Sequence, residues 1–470
     1  MAVVEMSFDL QRDVLDQLNR DYDFKPVRKG YLRGGKCPSC GKPELYTNAD
    51  APWVVRCGRL KNCRFEARVK ELYPDLFDNW SERFKKTDDN PNAAADAYLT
   101  SSRGFNLARV RGSYTQEWYR DPETKATSAT IRFPLPGGSY WERLIDRPHR
   151  FGKMKARFAP GASYAGQVWT PPPLTTDRLR TMDELWFAEG VFDSVALDHH
   201  GIAAASTMSC NNYPSAFLRQ LAELRPTNRP RLVWALDGDA AGRDYTRRWV
   251  QRARKEGWTC EAATVPQTSR KKDDWSDLHL ADRLSPKDLD EYRYQGSLLI
   301  ARSAADKARL MYGRTGVATF FYDHDDRLYW FDLDIKAYDK AMQQLLEKDA
   351  DVAEEERREL ALAESCDNVE IANCNPLPLY YQANEVTDES WYYYRVSFPH
   401  GGRAVKNTFA GSSLASASEF KKRLLSMAPG AVFTGTSQQL DRIIKQQLYG
   451  IKTVETIDYV GYAKEHGTYV

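Results

Sequence analysis

Two apolar runs that each end in carboxylates constrain this chain most. Residues 185–188 (Leu-Trp-Phe-Ala) lead directly into Glu189-Gly190, and residues 232–236 (Leu-Val-Trp-Ala-Leu) into Asp237-Gly238-Asp239. A short unbroken apolar run is the pattern of a strand buried on both faces, as in parallel sheets covered by helices. The flanking sequence alternates as such a sheet requires. Strands are expected over 185–188, 202–205 and 231–236, and helices over 193–199, 214–224 and 241–256. This predicts an α/β domain over 174–298. Its acids emerge at the carboxyl ends of strands, where open α/β sheets build their sites.

A third acidic group, Asp273, Asp274 and Asp277, follows in the same domain, and Asp193 opens the helix after Glu189. Carboxylates gathered without histidine or thiol favour a hard cation, Mg2+ or Mn2+. Without a cation, crowded carboxylates raise one another's pKa. Such a set suits phosphoryl or nucleotidyl transfer. For Asp-Gly-Asp alone, an ordinary turn or helix cap is a strong competing explanation. Three acidic groups in this order, two of them directly after strands, outweigh it.

Four of the eight cysteines lie together. Cys37 and Cys40 form a C-x2-C pair, and Cys57 and Cys63 a C-x5-C pair. Two thiolate pairs on two turns can close a tetrahedral Zn2+ site, and four thiolates leave no open position for catalysis, so the zinc is structural. The second spacing is longer than the common C-x2-C. Arg56, Arg59, Lys61, Arg64, Arg68 and Lys70 interleave with Trp53 and Phe65. That composition suits single-stranded DNA, with phosphates on cations and bases on rings; a solvated basic face is the plainer alternative.

Charge does not reveal the partner: the net value is only +2 and the sequence pI about 8.0. No basic start followed by an apolar run marks a signal peptide, and no apolar stretch is long enough to span a membrane, so a reducing cytoplasm is expected. The chain is expected to be multidomain. Residues 1–80 hold an amphipathic helix (8–21) and a small β zinc ribbon. Residues 93–173 form a basic subdomain with strands at 128–135 and 140–145. The α/β domain covers 174–298, and an α+β region 299–470. In the last part a charged helix is expected over 336–365, paired strands at 391–397 and 403–409, and helices at 415–427 and 438–448.

Taken together, Glu189 to Asp193, Asp237 to Arg243 and Asp274 to Leu278 resemble the Toprim domain of bacterial and phage DNA primases, with a mostly parallel sheet. Ala97-Tyr98-Leu99, Arg103-Gly104 and residues 131–135 (Ile-Arg-Phe-Pro-Leu) resemble the basic subdomain of the same family, and the N-terminal ribbon follows its usual order. The resemblance covers residues 30–285. It implies synthesis of short RNA primers from NTPs on a single-stranded DNA template with Mg2+ or Mn2+, for DNA replication. Glu189 would be ligand or general base, Asp237 and Asp239 the main metal ligands, and Asp193 with Asp274 or Asp277 the support for a second ion. Arg132, Arg143, Lys153 and Lys155 are the candidates for triphosphate or template contacts. The last third bears a weaker similarity to the region before the ring helicase of phage primase–helicases. A replicative helicase, fused or separate, is therefore an expected partner.

Two other classes fit part of the pattern. A recombination mediator can combine a zinc site with a Toprim fold without catalysis, and a Toprim nuclease would cut DNA without NTPs. The full acidic set and the basic segment 132–157 favour the polymerase.

Overall fold

The computed structural model describes residues 8–59, 62–77, 79–267, 273–348, 352–384, 389–399, 402–451, 462–463 and 468–469. It divides into two compact units, Met1–Ile300 and Ala301–Val470.

The first unit begins with α1 (Phe8–Tyr22), whose Leu10, Val14 and Leu18 lie on one stripe and are fully buried. They pack with Leu45 and Val55 of an antiparallel sheet in simple order: β1 (Lys25–Arg28), β2 (Tyr31–Gly35), β3 (Leu45–Asn48), β4 (Val54–Cys57) and β5 (Glu66–Arg68). A second antiparallel sheet follows: β6 (Thr115–Arg120), β7 (Thr127–Pro134), β8 (Tyr140–Leu144) and β9 (Ala156–Phe158). Alternation along β7 directs Ala129, Ile131 and Phe133 into the same core as α1 and the ribbon.

The third sheet is parallel throughout, in the order β11 (Ala204–Ser206), β10 (Glu184–Ala188), β12 (Arg231–Ala235), β13 (Cys260–Ala262). Its central strands are buried on both faces, as their unbroken apolar runs require. Leu185, Phe187, Leu232 and Trp234 meet α3 (Ser215–Leu224) and α4 (Ala240–Lys255) on one side. Trp186, Ala188, Val233 and Ala235 meet α2 (Val191–His199) and α5 (Trp275–Leu280) on the other. The expected crossover helices are present, and strand 202–205 is found one to two residues later, as Ala204–Ser206.

The second unit is α+β. It holds two three-stranded antiparallel sheets, one of Thr319–His324, Arg327–Leu333 and Cys366–Ala372, the other of Asn375–Asn384, Glu389–Phe398 and Gly402–Ala410. In its main core Phe409 stacks on Phe420, and Tyr394 packs tilted against Phe409 and edge-on to Phe420. The single helix expected over 336–365 is instead two, Ile335–Lys348 and Glu354–Ser365. Ala353 is extended (φ −56°, ψ 141°), and Glu354, Glu355 and Glu356 fill the first turn of the second helix, where its dipole favours negative charge. The fold is thus the expected multidomain one: a small β domain with clustered cysteines, an α/β core with a parallel sheet, and an α+β region. Among the described residues, no helix is long and apolar enough to cross a membrane.

Candidate functional site

In the ribbon, the turn after β2 and the end of β4 bring the four thiols together. Cys37 Sγ lies 3.7 Å from Cys63 Sγ, and Cys40 Sγ 3.9 Å from Cys57 Sγ. All four sulfurs lie within 4.8 Å of one another. Thiolates about 2.3 Å from a tetrahedral zinc ion sit roughly 3.8 Å apart, so this cluster fits zinc. Cys63 N–H donates to Arg59 O at 2.9 Å.

The acids assemble at the carboxyl edge of the parallel sheet. Ala188 and Ala235 are register partners on adjacent strands, so Glu189 and Asp237 leave the sheet side by side. Gly238 is required by close approach rather than by an unusual backbone angle, because a Cβ there would lie 2.1 Å from Val265 O. Gly242 is equally confined, 2.0 Å from Asp237 O. Asp239 caps α4, its Oδ1 accepting from Gly242 N–H at 3.0 Å. Asp274 caps α5, accepting from Asp277 N–H at 2.7 Å.

Asp237 is strongly perturbed. Burial, then the charges of Glu189, Asp274, Asp239 and Asp277, push its carboxyl up to about 8, and its Oδ1 is buried without a hydrogen-bond partner. Burial also raises Glu189; the amides of Cys210 and Asp237 oppose this, and Asp239 adds to it. An orphaned carboxylate oxygen among oxygen donors fits a hard divalent cation. Among the described residues, however, only the four thiols bring ligand atoms within 4.8 Å of one another. The acids form an open set.

The structure separates the remaining candidates. Asp193 is buried, and each of its oxygens accepts a backbone N–H, from Gly190 at 2.9 Å and from Ser276 at 3.0 Å. It joins α2 to α5. Asp273 and Asp277 both ion-pair with Arg68 of β5, Asp273 at 3.0 Å. Arg132 is committed to Glu142 at 3.0 Å, with Arg157 on the other oxygen. Arg143, on the opposite face of β8 from Glu142, sits near Tyr98 and Asp274, and its buried Nε has no hydrogen-bond partner. Lys153 and Lys155 are exposed.

Sequence reasoning missed a cationic cluster beside the acids. Tyr98 Oη accepts from Arg103 at 3.0 and 3.2 Å, and Lys70 lies 5.2 Å from the Tyr98 ring centre. Burial alone would raise the Tyr98 phenol; Arg103, Lys70 and Arg143 outweigh it and hold it near 6. Arg103 also lies within reach of the charges of Asp274 and Asp277. The ribbon cations expected to contact single-stranded DNA are partly turned inward. Arg68 meets the third acidic group, Lys70 donates to Ser102 at 3.0 Å, and Arg56 bonds Glu66 and Ala281 O. Lys61 lies outside the described residues.

Comparison with known proteins gives a limited set of likenesses. No curated protein sequence matches the chain. The RNA polymerase domain of Mycobacterium tuberculosis primase DnaG is 16% identical, with 53% of this chain and 90% of that one covered and a TM-score of 0.36. The zinc-binding and RNA polymerase domains of the Aquifex aeolicus primase are 13% identical over 66% of this chain and 96% of that one, with a TM-score of 0.28. Residues 186–279 match the family model described as Toprim-like. The segment that carries the parallel sheet and its acids is therefore a Toprim-like domain.

Proposed function

We propose that this chain is a DNA primase that makes short RNA primers on single-stranded DNA from NTPs, with Mg2+ or Mn2+ at the acid site. The observation that carries the reading is the buried, unpartnered Asp237 oxygen at the sheet edge, beside Glu189 and Asp239, with Arg103 and Arg143 near Asp274 of the same acid set. Glu189, Asp237 and Asp239 would hold one ion, and Asp274 with Asp277 would support a second. A bound divalent ion supplies Lewis-acid activation and neutralises phosphate charge. The chain supplies the rest. Glu189 serves as ligand or as base for the attacking hydroxyl. Arg103, Arg143 and Lys70 offer positive charge to a triphosphate next to the acids. Asp193 fixes α5, and with it Asp274 and Asp277, against α2. Arg68 ties the ribbon to the same group, so that template held by the ribbon reaches the acids. The four thiolates hold structural zinc. A replicative helicase, on the same polypeptide or separate, is the expected partner.

The test is primer synthesis by the full chain on mixed-sequence single-stranded DNA with labelled NTPs and Mg2+ or Mn2+. Short RNA products that disappear in Asp237→Ala and Asp239→Ala support the proposal. Cleavage of DNA without NTPs would assign a nuclease, and binding with neither reaction a non-catalytic module.

A further inference from the structure

The outer face of α4 carries a charge pattern that the acid site does not use. Gly242, Thr246, Val250 and Ala253 turn inward and are buried. Arg243, Arg247, Arg248, Arg252 and Lys255 are exposed on the outside; Asp244 pairs with Arg247 at 2.5 Å and Glu256 with Arg252 at 3.0 Å, which leaves the face net positive. Arg243 and Lys255 are twelve positions apart, so the stripe runs about 18 Å. It starts at the acid site, where Asp239 caps the helix and Arg243 donates to Gly238 O at 2.6 Å. Like charges three and four residues apart destabilise a helix, and the dipole favours cations only in the last turn. Arg243 is held by Gly238 O and Arg247 by Asp244, whereas Arg248 lies mid-helix, where the dipole gives a cation no advantage.

Beyond the stripe, Arg219, Arg229 and Arg252 line an open groove of about 470 Å³, with Glu256, the partner of Arg252, as the carboxylate among its lining residues. The aromatic rings of this surface are already covered. Arg248 lies over Tyr245 at 5.3 Å, Arg252 over Tyr213 at 3.9 Å, and Arg229 over Trp258 at 4.9 Å. Single-strand binders use uncovered rings as stacking platforms for bases. A surface of guanidiniums with its rings capped offers contacts to phosphates only, which position a strand without reading it.

We infer that the outer face of α4 is a docking track for the phosphate backbone of double-helical nucleic acid, leading away from the acid site. The direction of travel rests on the primase reading; the binding does not. The test uses fluorescence anisotropy with the full chain, no nucleotides, a labelled DNA duplex of about sixteen base pairs, and the matching single strand. Two triple variants are compared with wild type: Arg247→Glu, Arg248→Glu, Lys255→Glu, and the same positions changed to Gln. Each lost phosphate contact removes about 0.9 from the slope of log K against log salt, so the Gln variant is expected to lose between about 2 and 3. Duplex affinity should fall at least about tenfold at low salt, and single-strand affinity by less than about threefold. Unchanged duplex affinity and slope in a Gln variant that keeps its melting temperature would overturn the inference. Equal loss on both probes would overturn the assignment to a duplex. Should the Glu variant not fold, the Gln variant decides. Because no synthesis is measured, failure here is distinct from failure of the primase reading.

Discussion

The ribbon thiols and the sheet-edge acids are both clusters of potential metal ligands, built in opposite ways. The four sulfurs converge within 4.8 Å of one another, held by two turns in one short segment. The acids come from three distant stretches and do not close in the same way. Asp239, Asp274 and Asp193 spend oxygens on backbone N–H groups, Asp277 is held by Arg68, and Asp237 alone keeps a buried oxygen unpartnered. Neutral thiols can crowd without penalty, whereas like-charged carboxylates cannot unless a proton or cation intervenes. The closed set suits a permanent structural ion, and the open set suits an ion that exchanges with its substrate.

The largest effect that would sharpen this contrast is loss of a thiolate. Cys37→Ser should reduce bound zinc from one equivalent to almost none and unfold the ribbon locally, since structural zinc binding is worth about 10 kcal/mol or more. Zinc analysis together with proteolysis of residues 25–68 reads this out, and full zinc retention would break the comparison. Next is the acid set. Asp239→Ala should cut synthesis by about a thousandfold or more while leaving zinc content and the circular dichroism spectrum unchanged. Normal activity would show that the open set is not the reaction centre. Third is the link between the two clusters. Arg68 and its partners Asp273 and Asp277 are largely buried, so Arg68→Ala should destabilise the chain by about 3 kcal/mol and weaken use of long templates. Unaltered denaturant stability would mean that the ribbon and the acids are not mechanically joined.

The smallest effect concerns pH. His279 lies against His200 at 3.1 Å and Gly104 O at 3.2 Å, and burial, followed by the charge of His199, lowers its pKa to about 3. Burial also lowers His199 and His200. The unfolded chain, with histidines near 6.5, binds protons that the folded chain refuses. Stability is therefore fully present above about 6.5 and is lost as pH falls toward about 3. Between pH 7.5 and 5 the loss from His279 should be about 2 kcal/mol, and a His279→Gln variant should lose less than wild type over the same interval. Identical pH dependence in the two proteins would contradict this.

The parallel sheet was legible because its strands are unbroken apolar runs that end in acid and glycine, so type, order and chemical edge all follow from local pattern. The ribbon was legible from its thiol spacing. Strand Asn375–Asn384 was not, because Pro376 and Pro378 interrupt it and a partner strand decides its pairing. Asp193 was legible as an acid near the site but not as a brace, since its partner Ser276 lies 83 residues away. The same holds for Arg68, Tyr98 and Arg103. Their convergence near Asp274 and Asp277 depends on how the ribbon strand, the helical segment Tyr98–Ser102 and α5 pack together, which no local pattern encodes.

The most direct test of the central claim, that carboxylates from separate stretches of chain jointly hold a divalent cation, is Mn2+ binding by electron paramagnetic resonance on the full zinc-loaded chain. An Mn2+ site is expected whose affinity falls by about tenfold or more in Asp237→Asn, which keeps the side chain's size and removes its charge. Equal Mn2+ affinity in wild type and variant would contradict it.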